Sequence, residues 1–202
     1  MLLCLLGFLA ACGAPESSRE RLPDEAVVLA FGDSITFGTG AATSAAYPLQ
    51  LAELTGWRVV NAGVPGDTAG EAVSRLPAAL EQYSPALLIL ELGGNDFLRQ
   101  RQALKVKEDL RAMIREARAA GVEVVLVAVP RLSLARGALG LLEDAALYAD
   151  LAEEEGVALF SSELSAILSD SSLRADRIHP NAAGYRQFAE ALSRFLAEVG
   201  YR

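Results

Sequence analysis

The chain has 202 residues, of which 52% are hydrophobic and 22% charged, a composition typical of one globular domain rather than of a disordered segment. Its formal net charge of -8 repels both phosphate backbones and anionic lipid headgroups. We therefore expect no nucleic acid among its partners, and any contact with a membrane must come from apolar groups or an anchor.

The first twelve residues, MLLCLLGFLAAC, form an apolar run that is too short to cross a bilayer as a helix. The run fits the apolar core of a signal peptide, and LAAC (9–12) resembles the bacterial lipobox, whose cysteine is lipidated. No Lys or Arg precedes the run, so the positively charged region that usually begins a signal peptide is missing. The alternative to a signal segment is a buried N-terminal helix or strand. We predict a signal segment over 1–12, a tether over 13–25 and a folded domain over 26–202. The protein is then exported to the periplasm or cell envelope and anchored in the membrane through Cys12.

Beyond the tether, continuous apolar runs alternate with amphipathic ones. The apolar runs predict strands over residues 26–31, 57–62, 86–92, 122–129 and 157–160. The amphipathic runs predict helices over residues 47–54, 69–83 (perturbed by Pro77), 105–120, 140–155 and 181–199.

Strands that alternate with helices favour a parallel sheet covered on both faces. We predict an α/β fold, a three-layer α/β/α sandwich with five parallel strands in a flavodoxin-like order. Ligands of such sheets bind beyond the carboxyl ends of the strands. Residues with a chemical role are therefore expected directly after strands.

Three polar blocks satisfy this expectation. Ser34 follows the first strand in FGDS, NAGVPGDT (61–68) follows the second, and GGND (93–96) follows the third. Ser34 is either a helix cap or a nucleophile. Gly66 is either a turn glycine or an N–H that approaches a ligand closely, and Asn95 is either a turn residue or an amide donor.

The fourth block, ADRIHPN (175–181), precedes the last helix and contains His179, the only histidine of the chain. A carboxylate three residues earlier, at Asp176, can fold back onto the Nδ1–H of this imidazole and leave Nε2 for a serine. The alternatives are a histidine that packs near a helix N-terminus or lies exposed in a loop, and an aspartate that serves only as a turn residue. Four coincidences at strand ends, in order, explain the blocks poorly.

Together the blocks GDS, GVPGDT, GGND and DRIHPN resemble those of the SGNH (GDSL) hydrolase family, over about residues 27–192. The stretches VVNAGVPGDTAGEAVSRL and LILELGGNDFLR resemble the bacterial arylesterase, acyl-CoA thioesterase and lysophospholipase branch. The resemblance implies that Ser34 is the nucleophile, His179 the general base and acid, and Asp176 its orienting partner. It implies an oxyanion hole of Ser34 N–H, Gly66 N–H and the Asn95 amide.

The implied activity is hydrolysis of carboxylic esters and thioesters through an acyl-enzyme, with aryl esters, short and medium acyl esters, acyl-CoA and lysophospholipids as substrates. The alternatives are an envelope glycan O-deacetylase and a catalytically idle binding lipoprotein. Several apolar residues can either line an acyl groove or pack in the core; they are Leu98, Leu132, Leu134 and residues 139–142.

We expect no cofactor and no metal. The only cysteines, Cys4 and Cys12, lie in the signal segment, so the domain has no thiolate ligands. Asp67, Asp96 and Asn181 are interpreted as turn and cap residues, and Asp33 as the residue that holds the turn before Ser34.

Overall fold

The computed structural model describes residues 21–131 and 141–202 and contains a five-stranded parallel sheet. The strands are β1 (Val27–Gly32), β2 (Arg58–Gly63), β3 (Leu87–Glu91), β4 (Glu123–Val127) and β5 (Ala158–Phe160). They are arranged in the order β2-β1-β3-β4-β5, the flavodoxin-like order that the sequence predicts.

The helices pack on both faces of the sheet. They are α1 (Ser34–Phe37), α2 (Tyr47–Thr55), α3 (Ala69–Val73), α4 (Leu76–Tyr83), α5 (Gly94–Leu98), α6 (Ala103–Ala119), α7 (Leu147–Glu155), α8 (Glu163–Ser169) and α9 (Ala182–Glu198). Helix α9 contacts α2 and α8, whereas α6 contacts α3, α4 and α7. The predicted three-layer α/β/α sandwich is confirmed. No helix within the described residues is long and apolar enough to span a bilayer.

The central strands β1 and β3 are buried on both faces, which explains their continuous apolar sequence. Between the sheet and α9, the ring of Phe188 lies 4.9 Å from that of Tyr47 and 5.3 Å from that of Phe160. Gly32 pairs in register with Gly63 of β2 and with Glu91 of β3, so these three strands end at the same level. The loops that follow them therefore meet at one edge of the sheet.

Two predicted helices differ in the structure. The helix predicted over 140–155 begins only at Leu147, because the backbone of residues 143–145 instead pairs with that of residues 129–131: the N–H of Arg131 donates to the carbonyl of Glu143, and the N–H of Ala145 to that of Val129. The helix predicted over 69–83 is two helices, and Pro77 occupies the first turn of the second, where its missing N–H is tolerated.

The amino-terminal boundary also differs from the expected tether of residues 13–25. The N–H of Leu22 donates to the carbonyl of Tyr201 at 2.9 Å, and the Leu22 side chain packs against the core. The chain is therefore attached to the domain from residue 22 onward. The predicted signal segment and Cys12 lie outside the described residues.

Candidate active site

Ser34 lies in the serine turn, which we define as residues 32–38. This segment comprises the last residue of β1, the capping residue Asp33, helix α1 and Gly38. Asp33 is the N-cap of α1, since its Oδ1 accepts a hydrogen bond of 3.0 Å from the N–H of Ile35. Asp33 thus performs the capping role that the sequence also allowed for Ser34. Ser34 is instead the first residue of the helix, and its hydroxyl contacts another part of the chain.

His179 lies in the histidine loop, residues 170–181 between α8 and α9. Its Nε2 is 3.0 Å from Ser34 Oγ, and its Nδ1 is 2.8 Å from Asp176 Oδ2. A carboxylate beside Nδ1 fixes the hydrogen on that nitrogen, so Nε2 is the acceptor that faces the serine hydroxyl. The structure thus joins the three predicted residues in one hydrogen-bonded chain.

Asp176 is itself oriented by the loop. Its Oδ1 accepts hydrogen bonds from the backbone N–H groups of Ile178 (2.8 Å) and His179 (2.9 Å). Burial acts to raise the pKa of this carboxyl, but the bonds from His179 and from the backbone outweigh burial and keep the pKa below its ordinary value. Asp176 therefore stays charged beside the imidazole.

Asn95 reaches the serine turn from α5. Its Nδ2 donates to Asp33 Oδ2 at 3.1 Å and to the carbonyl of Asp67 at 2.9 Å. The two acceptors establish which end of the amide is nitrogen, and together they engage both of its hydrogens. An oxyanion bound by Asn95 must therefore replace one of these acceptors.

Gly66 lies in the loop after β2, directly before Asp67, whose carbonyl accepts the hydrogen bond from Asn95. Its φ of +86° lies in the left-handed region, where a side chain is strained, and nothing lies within 4 Å of the position of an added Cβ. Conformation rather than crowding therefore selects glycine. The Gly66 carbonyl accepts a hydrogen bond of 2.9 Å from Arg99.

Arg75, which was not predicted from the sequence, joins the ends of β1 and β2. Its guanidinium donates to the carbonyls of Gly32 (2.7 Å) and Ala62 (2.9 Å) and to Asp67 Oδ2 (2.6 Å). The same group lies 3.7 Å from the ring centre of Phe31. A lone arginine between two helices carries no sequence signal for such contacts, because two of its acceptors are backbone carbonyls.

Two interpretations of acidic residues were incomplete. Asp67 is a partner of Arg75 rather than a simple turn residue. Asp96 is fully buried, and it accepts hydrogen bonds of 2.8 Å from the N–H of Ala69 and from Arg101. Asn181 is the predicted cap, since it accepts hydrogen bonds from the first turn of α9. Within residues 21–131 and 141–202, no three His, Cys, Asp or Glu side chains are grouped to hold a metal ion.

A pocket opens beside Ser34, Asn95 and His179. Its apolar wall consists of Ile35, Leu98, Val129, Pro130, Leu164, Leu168 and Ile178. Of the residues predicted to line an acyl groove, Leu98 does so, whereas Leu142 is buried elsewhere and Leu141 is exposed. Leu132, Leu134 and residues 139–140 lie outside the described residues.

Two buried carboxyl groups lie beneath the pocket. Burial raises the pKa of Asp33 from 3.8 to about 6, although the bond from Ile35 and the proximity of His179 act in the opposite direction. Burial also raises the pKa of Glu91 well above its ordinary value, and the charge of Asp33 adds to this effect. Burial therefore favours the protonated form of both carboxyl groups.

Comparison with known proteins identifies the family. The model of the GDSL-like lipase/acylhydrolase family matches residues 30–187. Thioesterase 1/protease 1/lysophospholipase L1 of Escherichia coli (strain K12) is 35% identical over 159 residues, which are 76% of this chain and 75% of that protein. Esterase TesA of Pseudomonas aeruginosa is 33% identical over 169 residues, which are 81% of this chain and 84% of that protein.

Solved structures agree. A crystal structure of TesA matches with a TM-score of 0.76 at 32% identity, covering 86% of this chain and 99% of that one. A two-domain esterase active on acetylated mannans matches at 21% identity with a TM-score of 0.71, a likeness that shows the fold alone. The fold and the relatives define an α/β ester hydrolase. The chain belongs to the GDSL-like lipase/acylhydrolase family, as its four sequence blocks predict.

Proposed function

We propose that this protein hydrolyses aryl esters, short and medium acyl esters, acyl-CoA thioesters and lysophospholipids through an acyl-enzyme on Ser34. One observation carries the proposal, the hydrogen-bonded chain from Ser34 Oγ through His179 to Asp176. The curated names of the relatives, which include thioesterase, lysophospholipase and esterase, support the range of substrates.

In the acylation step, Ser34 Oγ attacks the carbonyl carbon of the substrate while its proton passes to His179 Nε2. The new O–C bond turns the carbonyl oxygen into an oxyanion. The tetrahedral intermediate then expels the alcohol or thiol, which takes the proton from His179. Asp176 stabilises the imidazolium that exists between these two transfers.

In the deacylation step, a water molecule gives a proton to His179 Nε2 and attacks the acyl carbon. Collapse of the second intermediate returns the proton to Ser34 Oγ and releases the carboxylic acid. We assign the oxyanion in both steps to the Ser34 N–H, the Gly66 N–H and the Asn95 amide. Each such donor contributes about 3 kcal/mol to transition-state stabilisation.

The apolar wall of the pocket is assigned to the acyl chain. The apolar side chains of this wall offer no hydrogen-bond partner to a polar acyl substituent; among them are Leu98, Leu164, Leu168 and Ile178. Each methylene group of the substrate that they bury contributes about 0.8 kcal/mol to binding. We expect kcat/KM to rise with acyl length over the first few methylene groups and then to fall. Replacement of Leu168 by Ala moves this optimum toward longer chains.

The test is labelling of the purified protein with a fluorophosphonate probe, together with hydrolysis of p-nitrophenyl esters. Ser34→Ala and His179→Ala are expected to abolish labelling and to lower kcat by about 10³-fold or more. Ser172→Ala, an exposed serine in the histidine loop, is the matched control and keeps both activities. Wild-type turnover by Ser34→Ala refutes the proposed mechanism.

We further propose export to the cell envelope and a lipid anchor on Cys12. The support is the apolar segment MLLCLLGFLAAC with its lipobox-like ending. Cells that express the protein and are fed radiolabelled palmitate should label it, and Cys12→Ser should remove the label. Cys4→Ser is the control and retains it. Equal labelling of wild type and Cys12→Ser contradicts the anchor.

A further inference from the structure

Glu91 is a buried carboxyl group at the carboxyl end of β3, beneath the pocket, and the proposed mechanism does not use it. It is the last residue of the strand LLILE, whose four remaining residues are all apolar, and its relative exposure is 0%. Its Oε2 accepts a hydrogen bond of 2.8 Å from Thr36 Oγ1, while its Oε1 has no partner within the described residues. Such a group is costly to bury, and a leucine there would cost nothing comparable.

The position of Glu91 connects it to the serine turn. Glu91 pairs in register with Gly32, two residues before Ser34. A Cβ at Gly32 would lie 2.7 Å from Glu91 Oε2 and would also collide with Thr36 Oγ1. The carboxyl, the hydroxyl and the backbone oxygen of Glu91, which lies 2.5 Å from the same position, therefore occupy the space that a side chain at residue 32 would need, and only glycine fits against them.

Thr36 transmits this contact to Ser34. Both residues belong to α1, a helix of four residues, which is far too short to be stable by itself. The Asp33 cap holds its first turn, and the bond from Thr36 to Glu91 ties its other side to the sheet. The Thr36 hydroxyl also lies 3.2 Å from the Tyr47 hydroxyl, so a chain of polar groups runs beneath the turn.

We propose that Glu91 is a positioning residue for Ser34, which it holds in its attacking orientation through the hydrogen bond from Thr36. The inference rests on the proposed role of Ser34 as nucleophile. Displacement of a reacting atom by about 1 Å lowers the rate by up to about 10²-fold, so a buried bond that fixes the turn affects turnover without touching the substrate.

The positioning role does not depend on the charge of the Glu91 carboxyl. Burial and the negative charge of Asp33 both raise the pKa of Glu91 and so favour its protonated form, and the other titratable groups that interact with it are the phenols of Tyr47, Tyr148 and Tyr185. A protonated carboxyl still presents an acceptor oxygen to Thr36. A glutamine has the same shape and the same acceptor.

The experiment compares two disrupting variants with two conservative ones in the full-length protein. Glu91→Leu and Thr36→Val remove the bond but keep the volume, and each is expected to lower kcat for p-nitrophenyl esters by about tenfold, with KM changed less than twofold. Glu91→Gln and Thr36→Ser keep the bond and should retain at least half of the wild-type kcat. Titration with a fluorophosphonate counts the functional sites, so loss of folded protein does not imitate loss of rate.

The double variant Glu91→Leu/Thr36→Val separates positioning from packing. A kcat no lower than that of either single variant supports the inference, because the same bond is lost once. Wild-type kcat in both single variants, with only the melting temperature lowered, overturns it, as does a Glu91→Gln enzyme as slow as Glu91→Leu. These failures leave the proposed function intact if Ser34→Ala is inactive. An active Ser34→Ala instead refutes the proposed function itself.

Discussion

The serine turn and the histidine loop bring Ser34 and His179 to within 3.0 Å of each other, yet they are held by different kinds of contact. The serine turn depends on residues far away in the chain, namely Arg75, Glu91 and Asn95. The histidine loop is held mainly by near neighbours, since Asp176 binds residues 178 and 179, and Asn181 binds the carbonyl of Ser172.

This difference follows from burial. The serine turn follows a strand buried on both faces, so its polar groups must find partners within the protein. The histidine loop is largely exposed, and the Asp176 side chain is 55% accessible to solvent. We expect remote substitutions to disturb the serine turn through stability and geometry together, and local substitutions to disturb the histidine loop through chemistry alone.

The largest effect is expected for Asp176→Asn in the histidine loop. The asparagine can turn its amide nitrogen toward His179 Nδ1, which places the imidazole hydrogen on Nε2, where it faces the Ser34 hydroxyl. We expect kcat to fall on the order of 10³-fold with little change in melting temperature. The control is Asp170→Asn, since the Asp170 carboxylate lies in the same loop and accepts hydrogen bonds from the N–H and the hydroxyl of the neighbouring Ser172. A loss below threefold shows that Asp176 is dispensable.

Asp33→Asn tests the serine turn through pH. A carboxyl whose pKa is about 6 in the folded protein and 3.8 ordinarily favours the folded state below pH 3.8, and this contribution is lost as pH rises through 6. The amide of the Asp33→Asn variant does not titrate, so the variant does not lose stability in this way as the pH rises. Its free energy of unfolding should therefore gain on that of wild type by about 3 kcal/mol between pH 3.5 and 7.5, measured by urea titration. A pH-independent difference shows that the burial of Asp33 carries no such cost.

Arg75→Met removes the guanidinium that joins β1, β2 and Asp67. It leaves two carbonyls and one carboxylate without their donor, so we expect the free energy of unfolding to fall by about 2 kcal/mol and kcat by about tenfold. Arg99→Met is the matched control, because Arg99 binds the same loop at Gly66 but is 55% exposed. It should change stability by less than about 0.5 kcal/mol. Equal effects of the two variants would show that Arg75 supports the serine turn no more than the exposed Arg99 does.

The smallest effect is expected for Asn181→Ala, which removes the cap of α9 at the end of the histidine loop. The N–H groups of Ala183 and Gly184 lose their acceptor, so the free energy of unfolding should fall by about 1 kcal/mol. Asn181→Ser, which keeps an oxygen at the cap, should recover most of this loss. If serine is no better than alanine in chemical denaturation, the cap does not stabilise the helix.

The predictable part of the molecule is the part that local sequence determines. The five strands and their order follow from apolar runs and their alternation with helices, and the Asp176–His179 pair follows from a spacing of three residues. The helix predicted over 140–155 was wrong at its start because the backbone around Asp144 pairs with that of Pro130, a contact that no local pattern around Asp144 indicates. The roles of the site residues stay predictions.

The supports of the serine turn were not predictable for the same reason. Arg75 binds Gly32, which lies 43 positions away in the chain, and Glu91 binds Thr36, which lies 55 positions away. Both contacts exist only once the sheet has formed. The pocket wall was likewise missed at Leu164, Leu168 and Ile178, whose apolar character in the sequence suggests only core packing. A single sequence gives the residues of a site more readily than the residues that hold them.

Both ends of the folded domain lie at the edge of the sheet opposite to Ser34. Leu22 is hydrogen-bonded to Tyr201, whose hydroxyl contacts Glu123, the first residue of β4, and Arg202 donates to the carbonyl of Leu54 ahead of β2. About 20 Å of strand separates this edge from the pocket. Attachment to a bead, a fusion partner or a bilayer through either end therefore leaves the pocket mouth turned outward, toward molecules arriving from solution or from a second surface.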